Sequence, residues 1–158
     1  MSKYVLLMEK YKLLRHHDPE EAEKLLNELR KRESYPHVVL IDDDLDEFKL
    51  GSLYQQCNCL VAPSFGEGFG LPLFEAAYSG VPVVAPGWSG QLDFLVDEES
   101  RPRFYNVAFD LQPVPAEAVW EDVITAESMW AYPRENSAKE MMRRCYNDVI
   151  NNVADTPA

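Results

Sequence analysis

Short apolar runs alternate along this chain with longer stretches whose apolar residues recur at helical spacing. Tyr4 to Met8 is one such run, readable as a buried strand or as the start of a helix. Pro19 then opens a helix that Asp18 can cap, with Ala22, Leu25, Leu26 and Leu29 at helical intervals. His37 to Ile41 reads as a second, β-branched strand, ended by Asp42-Asp43-Asp44. Another amphipathic helix follows from Asp46, with Phe48, Leu50, Leu53 and Tyr54 as its apolar positions.

Leu60 to Ala62 and Val81 to Ala85 are apolar at every position, the pattern of central parallel strands buried on both faces. Between them, Leu71 to Ser79 predicts a helix with Pro72 in its first turn and Gly80 at a left-handed C-terminal cap. Ser89 to Val96 predicts a further helix. Phe104 to Leu111 reads as a last strand, and Gln112 to Pro115 as a turn-rich break. A final helix from Glu135 to Asn151 carries Met141, Met142, Cys145, Tyr146 and Val149 on one side. Residues 1–153 are read as a single domain, and 154–158 as a disordered tail.

Strands alternating with helices predict an α/β fold: a Rossmann-like, three-layer α/β/α arrangement around a mainly parallel sheet. Ligands of such sheets bind outside the carboxyl ends of the strands. That rule collects Glu9 to Lys12, Asp42 to Leu45, Ser64 to Gly70 and Gly87 to Gly90 on one edge.

Composition narrows the possibilities. A chain of 158 residues with 46% hydrophobic side chains can bury the core of one domain. Its formal charge of −12 opposes a nucleic-acid face and a contact with anionic lipid. A phosphate-bearing ligand must therefore be held by local donors against the overall field. The longest apolar runs are too short to span a bilayer, and the N-terminal one is too brief for a signal peptide, so a cytoplasmic protein is expected. Cys57, Cys59 and Cys145 are odd in number and lack framework spacing, which predicts reduced thiols. The Cys-x-Cys pair has no second ligand pair after it, so no metal site is expected.

The candidate chemistry lies in one loop. Gly66, Gly68 and Gly70 alternate with Glu67 and Phe69 just ahead of the helix at Leu71. Glycines let a ligand approach the backbone, and a helix start offers amide donors and positive potential. Glu67 and Glu75 stand on either side of this junction. Carboxylates repel phosphates but accept hydrogen bonds from hydroxyls, so a ligand with both phosphates and sugars satisfies the pair. Two plainer readings stay open at this point: Glu75 as a partner of the helix dipole, and Glu67 as a solvated loop residue. A dinucleotide fingerprint fails because Phe69 and Leu71 stand where it needs glycine, and a phosphate-cradling Walker loop fails at Gly70-Leu71-Pro72. A Ser-His-Asp triad built on Ser64 or Ser89 finds no support in the placement of His16, His17 and His37.

Pro63-Ser64-x-x-Glu67-Gly68-Phe69-Gly70-Leu71-Pro72-x-x-Glu75-Ala76, followed by Gly80-x-Pro82-Val83-Val84, resembles the signature of the group 1, or family 4, retaining glycosyltransferases. Glu67 and Glu75 match their Glu-x7-Glu motif. The resemblance extends back through Leu53 to Asn58 and forward through Gly87 to Phe94, with a weaker echo at Trp130-Ala131-Tyr132-Pro133. It covers roughly residues 37 to 150. It implies the nucleotide-sugar-binding C-terminal half of a two-domain GT-B architecture. By resemblance, Glu67 binds hydroxyls of the transferred sugar and organises the reacting centre, while Glu75 binds the ribose hydroxyls. Gly68 and the amides of Phe69, Gly70 and Leu71 contact sugar and diphosphate, with Ser64 and Gly90 in the same substrate site. It also implies a nucleoside diphosphate sugar as donor substrate, no cofactor or metal, and an acceptor (sugar, lipid or protein) that the residues do not identify.

The chain departs from the family in two places. The N-terminal acceptor domain has no counterpart, and the strand and helix that open the donor half, with their Arg and Lys for the diphosphate, are not identifiable. Lys10 and Lys12 lie at the appropriate strand end as replacements, or are solvated lysines. Asp42 to Asp44 border the base or cap a helix. The isolated chain is therefore expected to lack full transfer activity. A separate acceptor-domain chain or a homo-oligomer is the expected partner, and a non-catalytic interaction module is the alternative.

Overall fold

The computed structural model describes residues 6–7, 19–34, 38–39, 41 and 44–154. The strands are β1 (Leu6–Leu7), β2 (Leu60–Val61), β3 (Val83–Pro86), β4 (Tyr105–Val107), β5 (Phe109–Pro113) and β6 (Met129–Pro133). The helices are α1 (Pro19–Arg30), α2 (Glu47–Gln56), α3 (Leu71–Tyr78), α4 (Leu92–Leu95) and α5 (Glu135–Ile150). Strands β1 to β4 form a parallel sheet in sequence order. β5 and β6 form a separate antiparallel ribbon.

Register explains how two faces of the sheet become two cores. Leu60 lies beside Val83, and Val61 beside Val84, which in turn lies beside Tyr105. Successive side chains of a strand point to opposite faces. Leu60, Ala62, Val83 and Ala85 accordingly pack with Tyr54 of α2, Leu73, Ala76 and Ala77 of α3, and Leu95 of α4. Val61, Val84, Tyr105 and Val107 pack with Cys145 of α5, flanked by Ala138, Met141 and Val149. Helices thus cover both faces, and the fold is the expected α/β Rossmann-like one. Cys59 and Cys145 act as core side chains on the α5 face.

The helix ends follow their sequence signals. Asp46 caps α2 by accepting from the Lys49 amide at 2.8 Å. Pro72 sits in the first turn of α3, and Gly80 takes the left-handed conformation with φ of 74°. α1 begins at Pro19. Its expected cap, Asp18, lies outside the described residues, as do most of Tyr4 to Met8 and the tail after Ala154.

Four expectations need correction. Of the strand expected over His37 to Ile41, Val38, Val39 and Ile41 are exposed and carry no strand, so local β-propensity misled without burial to support it, while His37 and Leu40 lie outside the described residues. The single strand read over Phe104 to Leu111 is two strands. The Ala108 amide donates to Ser137 Oγ at 2.9 Å, and the Ala108 carbonyl accepts from the Arg134 amide at 2.8 Å. The start of α5 thus takes both backbone groups of Ala108 and ends the parallel ladder there. Gln112 and Pro113 belong to β5 rather than to a break, opposite Trp130 and Met129. Met142 and Tyr146 are exposed on α5, so the packed stripe is Ala138, Met141, Cys145 and Val149.

Candidate functional site

The loop from Ser64 to Gly70 leaves β2 at its carboxyl end and runs into α3. The segment from Gly87 to Gln91 leaves β3 at the same edge. The two segments are braced together. The Glu67 carbonyl accepts from Ser89 Oγ at 2.7 Å and from the Gly90 amide at 3.1 Å. Gly90 is pressed so closely on the loop that a Cβ there would lie 1.9 Å from the Gly68 carbonyl oxygen. Ser89 adopts φ of 73°, a conformation that side-chain-bearing residues avoid, and its hydroxyl contact helps to hold it there. Behind this brace, Gly87 donates to Asn106 Oδ1 at 2.9 Å, tying the segment to β4. Gln91 is fully buried and donates to the Pro86 carbonyl at 2.9 Å.

Glu67 is 3% exposed, which removes the reading of a solvated loop residue. Ser64, three residues earlier in the same loop, is also buried. Gly70 takes φ of 87° and forms the N-cap of α3 without any side-chain cap. A Cβ at Gly70 would meet the Cβ atoms of Gln91 and Glu67 at 3.5 Å. The backbone therefore turns over the Glu67 side chain and enters the helix from a glycine N-cap that carries no capping side chain of its own. That arrangement suits an anion at the helix start, beside a buried acceptor.

Glu75 is half-buried in α3 and accepts the Tyr54 hydroxyl at Oε2, 3.2 Å away. The first turn of α3 holds no acidic residue, so Glu75 lies beyond the short reach of the helix dipole. Burial, and next the Glu75 charge, push the Tyr54 phenol well above its ordinary pKa.

The side chains of Phe69 and Leu71 are exposed, while their backbone forms the turn. Phe69 packs against Phe74 and Phe94 with ring centroids 5.4 and 5.1 Å apart. On the other side of the loop, the Ala131 amide of β6 donates to the Phe65 carbonyl at 2.8 Å, and Phe65 stacks on Tyr132 at 4.6 Å. The ribbon is thereby fastened to the loop.

Ser64, Glu67, Gly68, Phe69, Gly70, Leu71 and Gly90 are thus brought to one junction, and Glu75 lies one helical turn further along α3. Lys10 and Lys12 lie outside the described residues. Sequence reasoning gave Tyr54, Gln91 and Asn106 no place beside the site, and put Ser89 on the ligand-binding edge without assigning it the brace on Glu67. Their contacts join segments far apart in sequence, which no local spacing signals. Among the described residues, no cluster of three or more His, Cys, Asp or Glu is disposed to hold a metal, and no helix is long and apolar enough to cross a membrane.

The family model described as glycosyl transferases group 1 matches residues 12–108. The chain is similar to a D-inositol 3-phosphate glycosyltransferase 2 from Catenulispora acidiphila, with 33% identity over 75 residues. That match covers 48% of this chain and 18% of the relative. A D-inositol 3-phosphate glycosyltransferase from Corynebacterium diphtheriae is 37% identical over 73 residues, or 46% of this chain and 17% of the relative. The matched segment thus spans under a fifth of the length of either relative. No solved structure matches the chain.

Proposed function

Because this chain belongs to the group 1 glycosyltransferases, we propose that it is the donor-binding domain of a retaining enzyme of GT-B type. It takes sugar from a nucleoside diphosphate sugar, and the acceptor is received by a second domain or chain. The observation that carries this reading is the junction at Gly70: a buried Glu67 packed against a left-handed glycine N-cap that opens α3. Glu67 accepts hydroxyls of the transferred sugar and organises the reacting centre. The amides of Phe69, Gly70 and Leu71 receive the diphosphate, with Gly68, Ser64 and Gly90 shaping the turn. Glu75 accepts the ribose hydroxyls. Lys10 is the proposed cation for the diphosphate.

Catalysis in such a site rests on positioning and on stabilising the charge that develops on the leaving diphosphate. Donors already aimed at that charge act without reorganising during the reaction. No cofactor beyond the donor substrate is part of this reading. Calorimetric titration of UDP- and GDP-sugars tests it. One of them binds the wild-type chain, and Glu75→Gln weakens that binding roughly tenfold, the loss of a charge-assisted hydrogen bond. Absence of binding by the wild type at millimolar donor overturns it.

A second reading, a non-catalytic module that pairs with another chain or with itself, draws on the outer face of α3. Leu71, Phe74 and Tyr78 are exposed there at helical spacing. It gains if no donor binds while the chain self-associates in sedimentation.

A further inference from the structure

Tyr54 is 1% exposed and sits among Leu60, Leu73, Ala76 and Ala77, a setting in which phenylalanine would fill nearly the same volume. What phenylalanine would lack is the hydroxyl, and this hydroxyl reaches Glu75 Oε2. A buried phenol hydroxyl is costly unless it meets a partner, and a carboxylate is a strong one. The phenol keeps its proton in this environment, so toward Glu75 it acts as donor. The contact joins α2 to α3 across 21 residues of sequence and engages one oxygen of a half-buried, otherwise rotatable side chain.

We propose that Tyr54 is a positioning residue for donor recognition. It holds the Glu75 carboxylate by Oε2 and so presents Oε1 to a ribose hydroxyl of the nucleotide. This deepens the function proposed above and rests on its assignment of Glu75 to the ribose. A fixed acceptor favours nucleotides that carry the hydroxyl and penalises those that leave it unpaired. Tyr54 therefore contributes to discrimination between ribose and deoxyribose, beyond its part in the core.

The test uses the full chain with UDP or GDP, whichever binds tighter, and the matching 2′,3′-dideoxy diphosphate. Affinities are measured by calorimetry for wild type, Tyr54→Phe, Glu75→Gln and the double variant. Tyr54→Phe should weaken the ribonucleotide by roughly three- to tenfold, leave the dideoxy compound unchanged, and have no further effect in the Glu75→Gln background. A purely structural role would weaken both ligands equally, and that result overturns the proposal. So does unchanged ribonucleotide affinity in Tyr54→Phe; if Glu75→Gln still weakens it, the assignment of Glu75 survives alone. A wild type that binds neither nucleotide overturns both. Should Tyr54→Phe fail to fold, 3-fluorotyrosine placed at position 54 supplies a fluorine resonance in an otherwise native protein. That resonance should shift with the ribonucleotide and stay with the dideoxy compound, and equal shifts with both overturn the proposal.

Discussion

The loops that follow β2 and β3 and the ribbon of β5 and β6 meet at Phe65, but they are held by different means. The loops are fixed by backbone contacts with no slack: Gly90 against Gly68, two donors on the Glu67 carbonyl, and left-handed turns at Gly70 and Ser89. The ribbon meets the loop through one backbone bond, from the Ala131 amide to the Phe65 carbonyl, and is otherwise fixed by side chains, with Phe65 against Tyr132 and Trp130, and Asp110 paired with Arg134. Its connecting segment exposes Val119, Trp120 and Val123. Backbone contacts fix atoms to fractions of an ångström and tolerate few substitutions, whereas aromatic packing and surface charge tolerate many. A site that must aim amides at a ligand needs the first kind of restraint. A flanking ribbon can vary around it.

Glycine substitutions break this contrast most sharply. Gly90→Ala should destabilise the chain by about 3 kcal/mol, because a Cβ there displaces backbone rather than a flexible side chain. Donor binding should fall with it. Gly68→Ala is the control, since its Cβ meets nothing within 4 Å, and its stability should stay within about 0.5 kcal/mol of wild type. Thermal melting of the two variants separates them. Equal melting temperatures would mean that the loops are not braced as described.

Phe65→Leu probes the side-chain fastening of the ribbon. Loss of the ring contacts should cost about 0.5–1.5 kcal/mol, and hydrogen exchange at the Ala131 amide should quicken while that at Gly90 stays slow. Parallel changes at both amides would erase the distinction between the two regions.

The smallest effect belongs to Asp110. Its carboxyl is held below the usual range chiefly by the hydrogen bond from Arg134, which outweighs an opposing desolvation and is helped by the guanidinium charge. A depressed folded-state pKa stabilises the protein above the unfolded value of about 4, and that contribution disappears as pH falls through the folded value. Asp110→Asn should therefore melt slightly earlier than wild type at neutral pH and converge with it in acid. Chemical denaturation at the two pH values measures this.

The same contrast governs what could be read from the chain alone. Leu60 to Ala62, Val81 to Ala85 and the helix from Leu71 were legible because uninterrupted apolar runs and Gly-Pro punctuation are local signals. The Glu67–Glu75 frame was legible for the same reason. The split at Ala108 was not, because its cause is the capture of Ala108 by Arg134 and Ser137 from the next helix. Nor was the ribbon, whose Pro113 pairs with Met129 across an intervening loop. Tyr54 looked like one more apolar position of α2, since nothing local marks which hydroxyl will meet a carboxylate. In Val38, Val39 and Ile41, propensity spoke for a strand that burial does not support.

Backbone amide shifts on titration with a nucleoside diphosphate sugar bear most directly on the assignment of the Gly70 junction as the donor site. The largest changes are expected at Phe69, Gly70, Leu71 and Gly90, with the ribbon amides of β5 and β6 nearly still. Saturating shifts centred elsewhere, for instance on the shallow cavity lined by Phe94, Asp97, Arg101 and Arg103, or no shifts at millimolar ligand, would contradict it.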